Sequence, residues 1–182
     1  MKKSSLVFSL CVLFLFVLQV SFCNAAGSKG IGDESFSGVV VFGDSLADNG
    51  NFYAAMGQPT FPYWEGRFSN GPVWVEYLAG YMGLPNQPNK AVGYSTSTDM
   101  FTKQVIPYVG GITDPAGQAD ALFILQSGSN DFIYPTSPDP NVLIGTAVYN
   151  IAASVQVLYG AGARNFLIAN APNYGLIPLA TQ

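Results

Sequence analysis

The stretch that decides the fold is GVVVFGDSL, residues 38–46. Its first five residues are rich in valine, which is typical of a short buried strand. Gly43, Asp44 and Ser45 follow, and they predict a polar turn directly after that strand. Two further apolar runs of the same kind, over 121–126 and 165–170, predict a second and a third strand.

Helical patterns separate these strands. Apolar residues at near-helical spacing predict a helix over 72–81, and Asp139 before Pro140 predicts the start of another. Along that later helix an apolar stripe recurs every three or four positions: Ile144, Val148, Ile151, Val155 and Leu158. Residues 100–108 indicate a further helix, and 89–93 indicate a short strand. Strands that alternate with helices predict an α/β fold with a mostly parallel sheet.

Two polar residues follow the first two strands, and ligand sites in such sheets lie beyond the carboxyl ends of the strands. Ser45 is placed either to act as a nucleophile or to cap a helix that starts after it. Asn130, in Gly128-Ser129-Asn130-Asp131, is placed either to donate a hydrogen bond to a developing oxyanion or to form a local turn. We expect Ser45 and Asn130 to lie at the same edge of the sheet.

One arginine lies in a glycine-containing segment, GRFSNG, over residues 66–71. The segment predicts a turn before the helix of 72–81. Arg67 could bind an anionic group of a substrate, and it could equally form a structural salt bridge.

The N-terminus has the pattern of a secretory signal peptide. Lys2 and Lys3 form a short basic start, residues 6–22 are almost uninterrupted apolar sequence, and Ala25-Ala26 suits cleavage. An uncleaved membrane anchor is the alternative. We predict cleavage, and therefore a secreted or periplasmic chain with a flexible leader over 27–37 and one globular domain over 38–182.

Removal of residues 1–26 changes the cysteine count and the charge. Both cysteines, Cys11 and Cys23, lie in the removed part, so the mature chain has no disulfide. Five basic side chains then face eleven carboxylates, which gives a net charge of −6. Because of this negative charge, we do not expect the chain to bind nucleic acid or an anionic membrane surface. We expect a monomer with no stable membrane span, since no second apolar run looks long enough to form one.

Taken together, these segments resemble the GDSL, or SGNH, hydrolase family, over roughly residues 39–177. The matching segments are GDSL-x-D-x-GN at 43–51, GRFSNG at 66–71, G-x-ND at 128–131 and the strand ARNFL at 163–167. The resemblance implies a three-layer α/β/α, flavodoxin-like sheet that lacks its last strand and helix in this chain. It also implies an esterase or lipase that acts on short acyl esters, lipids or acetylated polysaccharides and needs no metal or organic cofactor.

The same resemblance implies roles for three residues. Ser45 would be the nucleophile, with its own N–H in the oxyanion hole, and Asn130 would supply a side-chain donor. The family's second block is here NKAVGY, residues 89–94. Members usually have Gly-Gly where this chain has Gly93-Tyr94, so the backbone N–H of Tyr94 would be the third donor. A bulky side chain at that position disfavours the backbone geometry that glycine adopts freely.

A second departure concerns the catalytic base. The family's Asp-x-x-His lies near the C-terminus of longer chains, whereas this chain contains no histidine and ends at Gln182. Because a serine hydroxyl is a weak nucleophile without a base, we predict that this chain is feebly active or inactive. Lys90 and Lys103 remain as candidate bases. The two readings left open are a truncated esterase and a non-catalytic protein that binds esters or glycans; a nucleotide-binding protein is disfavoured, since no phosphate-binding glycine loop is present.

Overall fold

The computed structural model describes residues 36–84 and 88–173. The predicted signal peptide and nearly all of the predicted leader lie outside these residues. So does the end of the chain from residue 174.

The sheet consists of three parallel strands in the order β1-β2-β3: Gly38–Gly43, Ala121–Gln126 and Asn165–Ile168. All three were predicted, and the third is two residues shorter than expected. The register pairs Gly43 with Gln126, so β1 and β2 end side by side. Whatever follows these two strands therefore lies at one edge of the sheet.

Helices fill the connections between the strands. In chain order they are α1 (Asn51–Met56), α2 (Trp74–Tyr81), α3 (Ser97–Asp99), a π-helical stretch (Met100–Val105), α4 (Ile106–Gly110), a 3-10 turn (Ala116–Gln118), α5 (Ser129–Ile133) and α6 (Pro140–Gly160). The predicted start of α6 is confirmed, because the Asp139 carboxylate caps it by accepting from Asn141 N at 2.9 Å.

Alternating side chains of the buried strands face opposite sides of the sheet, and helices cover both sides. One core contains Phe42, Phe123, Leu158 of α6 and residues of the π-helical stretch. The other contains Val41, Ile124 and Val75 of α2. The predicted three-layer α/β/α architecture is therefore present in the described residues.

The predicted short strand over 89–93 is only a single bridge. Asn89 pairs in parallel with Val41, and Lys90 N donates to Val41 O at 2.7 Å. Val92 N donates to Gly43 O at 3.1 Å, after which the chain turns. The segment runs beside β1 and carries Gly93 and Tyr94 to the same sheet edge as Ser45.

The buried face of α6 differs from the predicted stripe. Leu158 is buried and Ile151 and Val155 pack against the core, but Ile144 and Val148 are about half exposed or more. The buried residues of α6 are Leu143, Ala147, Asn150, Ser154 and Leu158, three of which are small or polar. Hydrophobic periodicity predicted the wrong buried face for α6 because it does not register hydrogen bonds. The buried Asn150 amide donates to Ser97 Oγ and Thr98 Oγ1.

Length and composition would allow α6 to cross a membrane, contrary to the expectation that no second run is long enough. It has 21 residues and a mean hydropathy of 1.5 over its most apolar window. In the described structure it packs against the sheet through Ile151, Val155 and Leu158. Core helices of soluble proteins meet the same criteria.

Candidate active site

Two buried aspartates, Asp44 and Asp48, organise the turn after β1. Asp44 accepts Leu46 N through Oδ1 at 3.0 Å, while its backbone carbonyl accepts the N–H groups of Ala47 and Asp48. These bonds close a tight turn around Ser45, whose side chain is partly buried. Neither the N–H nor the Oγ of Ser45 has a hydrogen-bond partner within residues 36–84 and 88–173. Ser45 is thus free to donate both groups to a ligand.

The alternative in which Ser45 caps a helix is wrong. The next helix, α1, starts at Asn51, and its N-cap is Gly50 with φ +114°. The N–H groups of Gly50, Asn51 and Phe52 donate instead to the fully buried carboxylate of Asp48, at 2.6–3.0 Å. The Asp48 carboxylate therefore satisfies the backbone N–H groups at the start of α1, which have no partner within the helix.

Asp48 and Asn51 also fasten the second-block segment to the Ser45 turn. Asp48 Oδ2 accepts Gly93 N at 2.8 Å. The side-chain amide of Asn51 donates to the carbonyl oxygens of Asn89 and Ala91 at 2.9 and 2.8 Å. Asp48 and Asn51 of the GDSL-x-D-x-GN segment are therefore structural, a role that sequence reasoning did not assign to them.

Asn130 lies in the first turn of α5 and is buried. Its Nδ2 donates to Ser95 O at 2.9 Å, across 35 residues of sequence. That long-range bond is not the local Asx turn that was the alternative. It joins the helix after β2 to the residue that follows Tyr94.

Tyr94 adopts the left-handed backbone conformation, with φ +66°. A residue with a Cβ pays about 1–2 kcal/mol for this conformation relative to the right-handed region. Its backbone N–H has no hydrogen-bond partner among the residues that the structure describes. The tyrosine side chain therefore does not prevent the left-handed conformation that is typical of glycine. The sequence had predicted that such a side chain would disfavour this conformation.

A glutamine that the sequence did not single out supports the same edge. Gln104, in the π-helical stretch, accepts Gly43 N at 2.9 Å and donates to Gly43 O at 2.8 Å. Its Nε2 also donates to Ser95 Oγ at 3.1 Å. Gln104 therefore links the end of β1, two residues before Ser45, to the segment that holds Tyr94.

Two carboxylates lie behind the turn. Burial raises the pKa of Asp44 to about 6; the Leu46 N–H opposes that rise and the negative charge of Asp131 adds to it. Asp44 Oδ2 is buried without a partner among the described residues. Asp131 accepts from Ser97 N at 2.8 Å and from Ser97 Oγ at 2.6 Å. The ionised form of Asp44 is therefore poorly compensated.

Arg67 forms the structural salt bridge. Its guanidinium makes a two-point contact with Glu76, with Nη2–Oε1 at 2.8 Å and Nε–Oε2 at 3.3 Å. It also donates to Glu65 O and lies over the ring of Trp64. Glu76 in turn accepts Val73 N at the start of α2. These contacts favour the structural reading of Arg67 over anion binding.

Lys103 is a poor general base. Its Nζ lies 2.7 Å from Asp99 Oδ1, and this hydrogen bond and charge raise the pKa of Lys103. A cavity of about 960 Å³ lies beside Lys103 and Lys90 and reaches Tyr94 and Gln104. Ser45 and Asn130 do not line this cavity.

A parallel α/β/α sheet, with a serine past its first strand and an asparagine past its second, indicates a class of α/β ester hydrolases. The GDSL-like Lipase/Acylhydrolase family model matches residues 39–181. The chain belongs to that family. Membership supports a hydrolase that acts on esters, or an acyltransferase.

Two curated proteins are similar to this chain over much of its length. The chain is 33% identical to the phosphatidylcholine-sterol acyltransferase of Aeromonas hydrophila, over 93% of this chain and 52% of that protein. It is 34% identical to the thermolabile hemolysin of Vibrio parahaemolyticus, over 74% of this chain and 34% of that protein. The chain thus spans about half or less of the length of these curated relatives. A crystal structure of the Bacillus subtilis protein YXIM matches with 17% identity and a TM-score of 0.48, over 75% of this chain and 34% of that one.

Proposed function

We propose that this chain carries the nucleophile and the oxyanion hole of a secreted serine ester hydrolase. Ser45 Oγ attacks the ester carbonyl carbon, and the N–H groups of Ser45 and Tyr94 and the amide of Asn130 donate to the oxyanion that forms. The ester C–O bond then breaks, the alcohol leaves with the proton that Ser45 Oγ gives up through solvent water, and the acyl group stays on Ser45. Water or a second alcohol then attacks the acyl carbon, and Ser45 Oγ regains a proton as the acyl group departs. The substrate is a carboxylic ester, and no metal takes part.

One observation carries this proposal. Two hydrogen bonds tie the three donor segments to one another: Asp48 Oδ2 with Gly93 N, and Asn130 Nδ2 with Ser95 O. The free N–H groups of Ser45 and Tyr94 support the assignment, because preorganised, unpaired donors at a sheet edge are what an oxyanion hole requires.

The histidine that serves as the family's catalytic base is absent from this sequence. No histidine is present to accept the Ser45 proton, and the pKa of Lys103 is raised by Asp99. Loss of one member of a catalytic triad costs on the order of four to six powers of ten in turnover. We therefore expect this 182-residue chain to be feebly active or inactive by itself.

Hydrolysis of p-nitrophenyl acetate tests both parts of the proposal. We expect a small rate above the uncatalysed background, lost in Ser45→Ala and kept in the matched control Ser37→Ala, whose side chain is exposed on the far end of β1. A residual rate that is unchanged in Ser45→Ala would remove Ser45 from the mechanism. Fast turnover that disappears in Ser45→Ala would establish Ser45 as the nucleophile. It would also refute the expectation that this chain lacks a base for that serine.

The second candidate is a protein that binds esters or glycans without turnover. The absence of histidine and the presence of Tyr94 at a position that is usually glycine in the family favour it. Saturation-transfer NMR with triacetin separates the two candidates. Binding with no loss of triacetin, unaffected by added imidazole, supports the non-catalytic candidate.

Export is a further part of the proposal. Residues 1–26 would direct secretion and be removed, leaving an acidic monomer with an ester ligand and no nucleic-acid partner. N-terminal sequencing of the exported chain should begin at Ala26 or Gly27. A chain that stays in the membrane with Met1 or Lys2 at its N-terminus would favour the anchor.

A further inference from the structure

Four aromatic rings pack together beside the candidate active site. We call Phe52, Phe68, Tyr94 and Tyr134 the aromatic cluster. Tyr94 contacts the other three, with ring centroids 5.1 Å from Phe52, 5.3 Å from Phe68 and 6.2 Å from Tyr134. Phe52 and Phe68 also contact each other at 5.8 Å. Edge-to-face pairs at such distances are favourable beyond the area that they bury.

Each ring of the aromatic cluster comes from a different part of the site. Phe52 belongs to α1, which follows the Ser45 turn, and Tyr134 immediately follows α5, which carries Asn130. Phe68 comes from the GRFSNG segment, to which neither the nucleophile nor the oxyanion donors belong. The cluster therefore joins all three donor segments through side chains, in addition to the hydrogen bonds.

Phe68 lies directly against the peptide that carries the third donor. A Cβ built on Gly93 would come within 2.5 Å of Phe68 Cε2, so any side chain at this position would displace the ring. The Gly93–Tyr94 peptide contains the Tyr94 N–H. The contacts of Arg67 with Glu76 and Glu65 fix the backbone just before Phe68.

The backbone of Tyr94 needs such support. Left-handed conformations at residues with a Cβ persist only where the surroundings over-determine them. Gly93 N is fixed on Asp48, Ser95 O is fixed by Asn130, and the Tyr94 ring is fixed by the cluster. Without the ring contacts, the 93–94 peptide could relax and turn its N–H away.

We propose that the aromatic cluster positions the oxyanion donors, with Phe68 and the ring of Tyr94 holding the 93–94 peptide so that its N–H converges with those of Ser45 and Asn130. Phe68 is in this account a positioning residue, which gives the GRFSNG segment a function. The inference rests on the proposed function, since it presupposes an oxyanion hole.

An NMR titration of the full ¹⁵N-labelled chain tests this without requiring turnover. The probe is methylphosphonate, a tetrahedral anion. In the wild type we expect the backbone amides of Ser45 and Tyr94 and the side-chain amide of Asn130 to shift along one saturation curve. In Phe68→Ala and Tyr94→Ala the amide at position 94 should lose its response, and affinity should fall about tenfold.

Controls separate positioning from folding. Tyr94→Phe keeps the ring and should recover the response at position 94, and Tyr81→Ala should titrate as the wild type, because Tyr81 is 92% exposed on α2. Dispersed amide signals from β1 and β2 report that each variant is folded. If Phe68→Ala does not fold, Phe68→Leu, which keeps an apolar side chain without a ring, replaces it.

The outcomes distinguish the inference from the proposed function. A wild-type response at position 94 in both Phe68→Ala and Tyr94→Ala overturns the inference. So does a wild type in which Ser45 and Asn130 respond and Tyr94 does not; that result also removes Tyr94 from the oxyanion hole, but it leaves Ser45 and Asn130 in their proposed roles. No response at Ser45 and Asn130 in the wild type overturns the proposed function, and the inference with it.

Discussion

The side-chain amide of Asn130 donates to the backbone carbonyl of Ser95 over 2.9 Å. Both residues are buried, and the bond joins two segments that are 35 positions apart in sequence. One side-chain N–H of Asn130 is thereby used for structure, and the other is left for a ligand, since an amide has two. The same side chain thus fixes the loop of Tyr94, and in the proposed mechanism it also donates to the oxyanion.

Asn130→Ala should therefore reduce stability as well as ester chemistry. The variant leaves Ser95 O buried without its donor, which costs about 1–3 kcal/mol in the free energy of unfolding. Urea unfolding monitored by tryptophan fluorescence measures this. Asn141→Ala, which removes an exposed amide bonded to Asp139, is the matched control and should change stability by less than about 0.5 kcal/mol. Equal effects of the two substitutions would show that the Asn130–Ser95 bond is not significant for the fold.

The free energy of unfolding should depend on pH through Asp44. Because its pKa is raised from 3.8 to about 6 in the folded chain, the folded state binds a proton more tightly than the unfolded state. The protonated form is the stabilising one. Its contribution is fully present below the unfolded pKa and is lost as the pH rises through about 6, by up to about 3 kcal/mol.

Urea unfolding of wild type and Asp44→Asn at several pH values between about 4 and 7 checks this. Asp44→Asn keeps an oxygen for Leu46 N and carries no charge, so its stability should lack this decline and exceed that of the wild type near pH 7. Asp120→Asn, at an exposed residue, is the control and should behave as the wild type. Parallel pH profiles for wild type and Asp44→Asn would contradict the raised pKa.

The salt bridge of Arg67 predicts a stability effect and no selective effect on substrate binding. A double-mutant cycle of Arg67→Gln with Glu76→Gln should give a coupling energy of about 1 kcal/mol, because the pair is bidentate and its side chains are only 18% and 22% exposed. Unfolding by urea supplies the four free energies. A coupling energy near zero, together with a raised KM for anionic esters in Arg67→Gln, would favour the alternative in which Arg67 binds an anionic group of the substrate.

The left-handed backbone of Tyr94 predicts that Tyr94→Gly is more stable than Tyr94→Ala, the reverse of the usual order. At φ +66° glycine is unstrained and alanine is not, so Tyr94→Gly should be more stable than Tyr94→Ala by about 1 kcal/mol. At an ordinary φ, alanine would be the more stable of the two. Thermal melts of both variants under identical conditions decide this. Tyr94→Ala as the more stable variant would mean that residue 94 does not keep the left-handed conformation in solution.

Much of this architecture was predictable because local sequence encodes it. The valine-rich run before Gly43 and the apolar run of β2 each end in a polar turn, and parallel pairing then brings the turns together. The start of α6 was predictable for the same reason, since Asp139 acts on a neighbour two residues away. These signals involve residues that are close in sequence.

The features that escaped prediction depend on partners far away in sequence. Gln104 contacts Gly43 across 61 positions, and Asn150 is buried because it reaches Ser97 across 53. Hydrophobic periodicity does not register such bonds, and it assigned α6 a face that includes the exposed Val148. The left-handed φ of Tyr94 was unexpected because local preference disfavours it, and the ring contacts of Tyr94 are with residues far away in sequence.

The most direct test of the central claim is the site of acylation. Incubation of the chain with p-nitrophenyl acetate and imidazole, which supplies an external base, followed by intact-mass and peptide mass spectrometry, would locate any acetyl group. The account predicts one acetyl group on Ser45, absent in Ser45→Ala and present in Ser37→Ala. Acetylation that is equal in wild type and Ser45→Ala would contradict the assignment of Ser45 as the nucleophile.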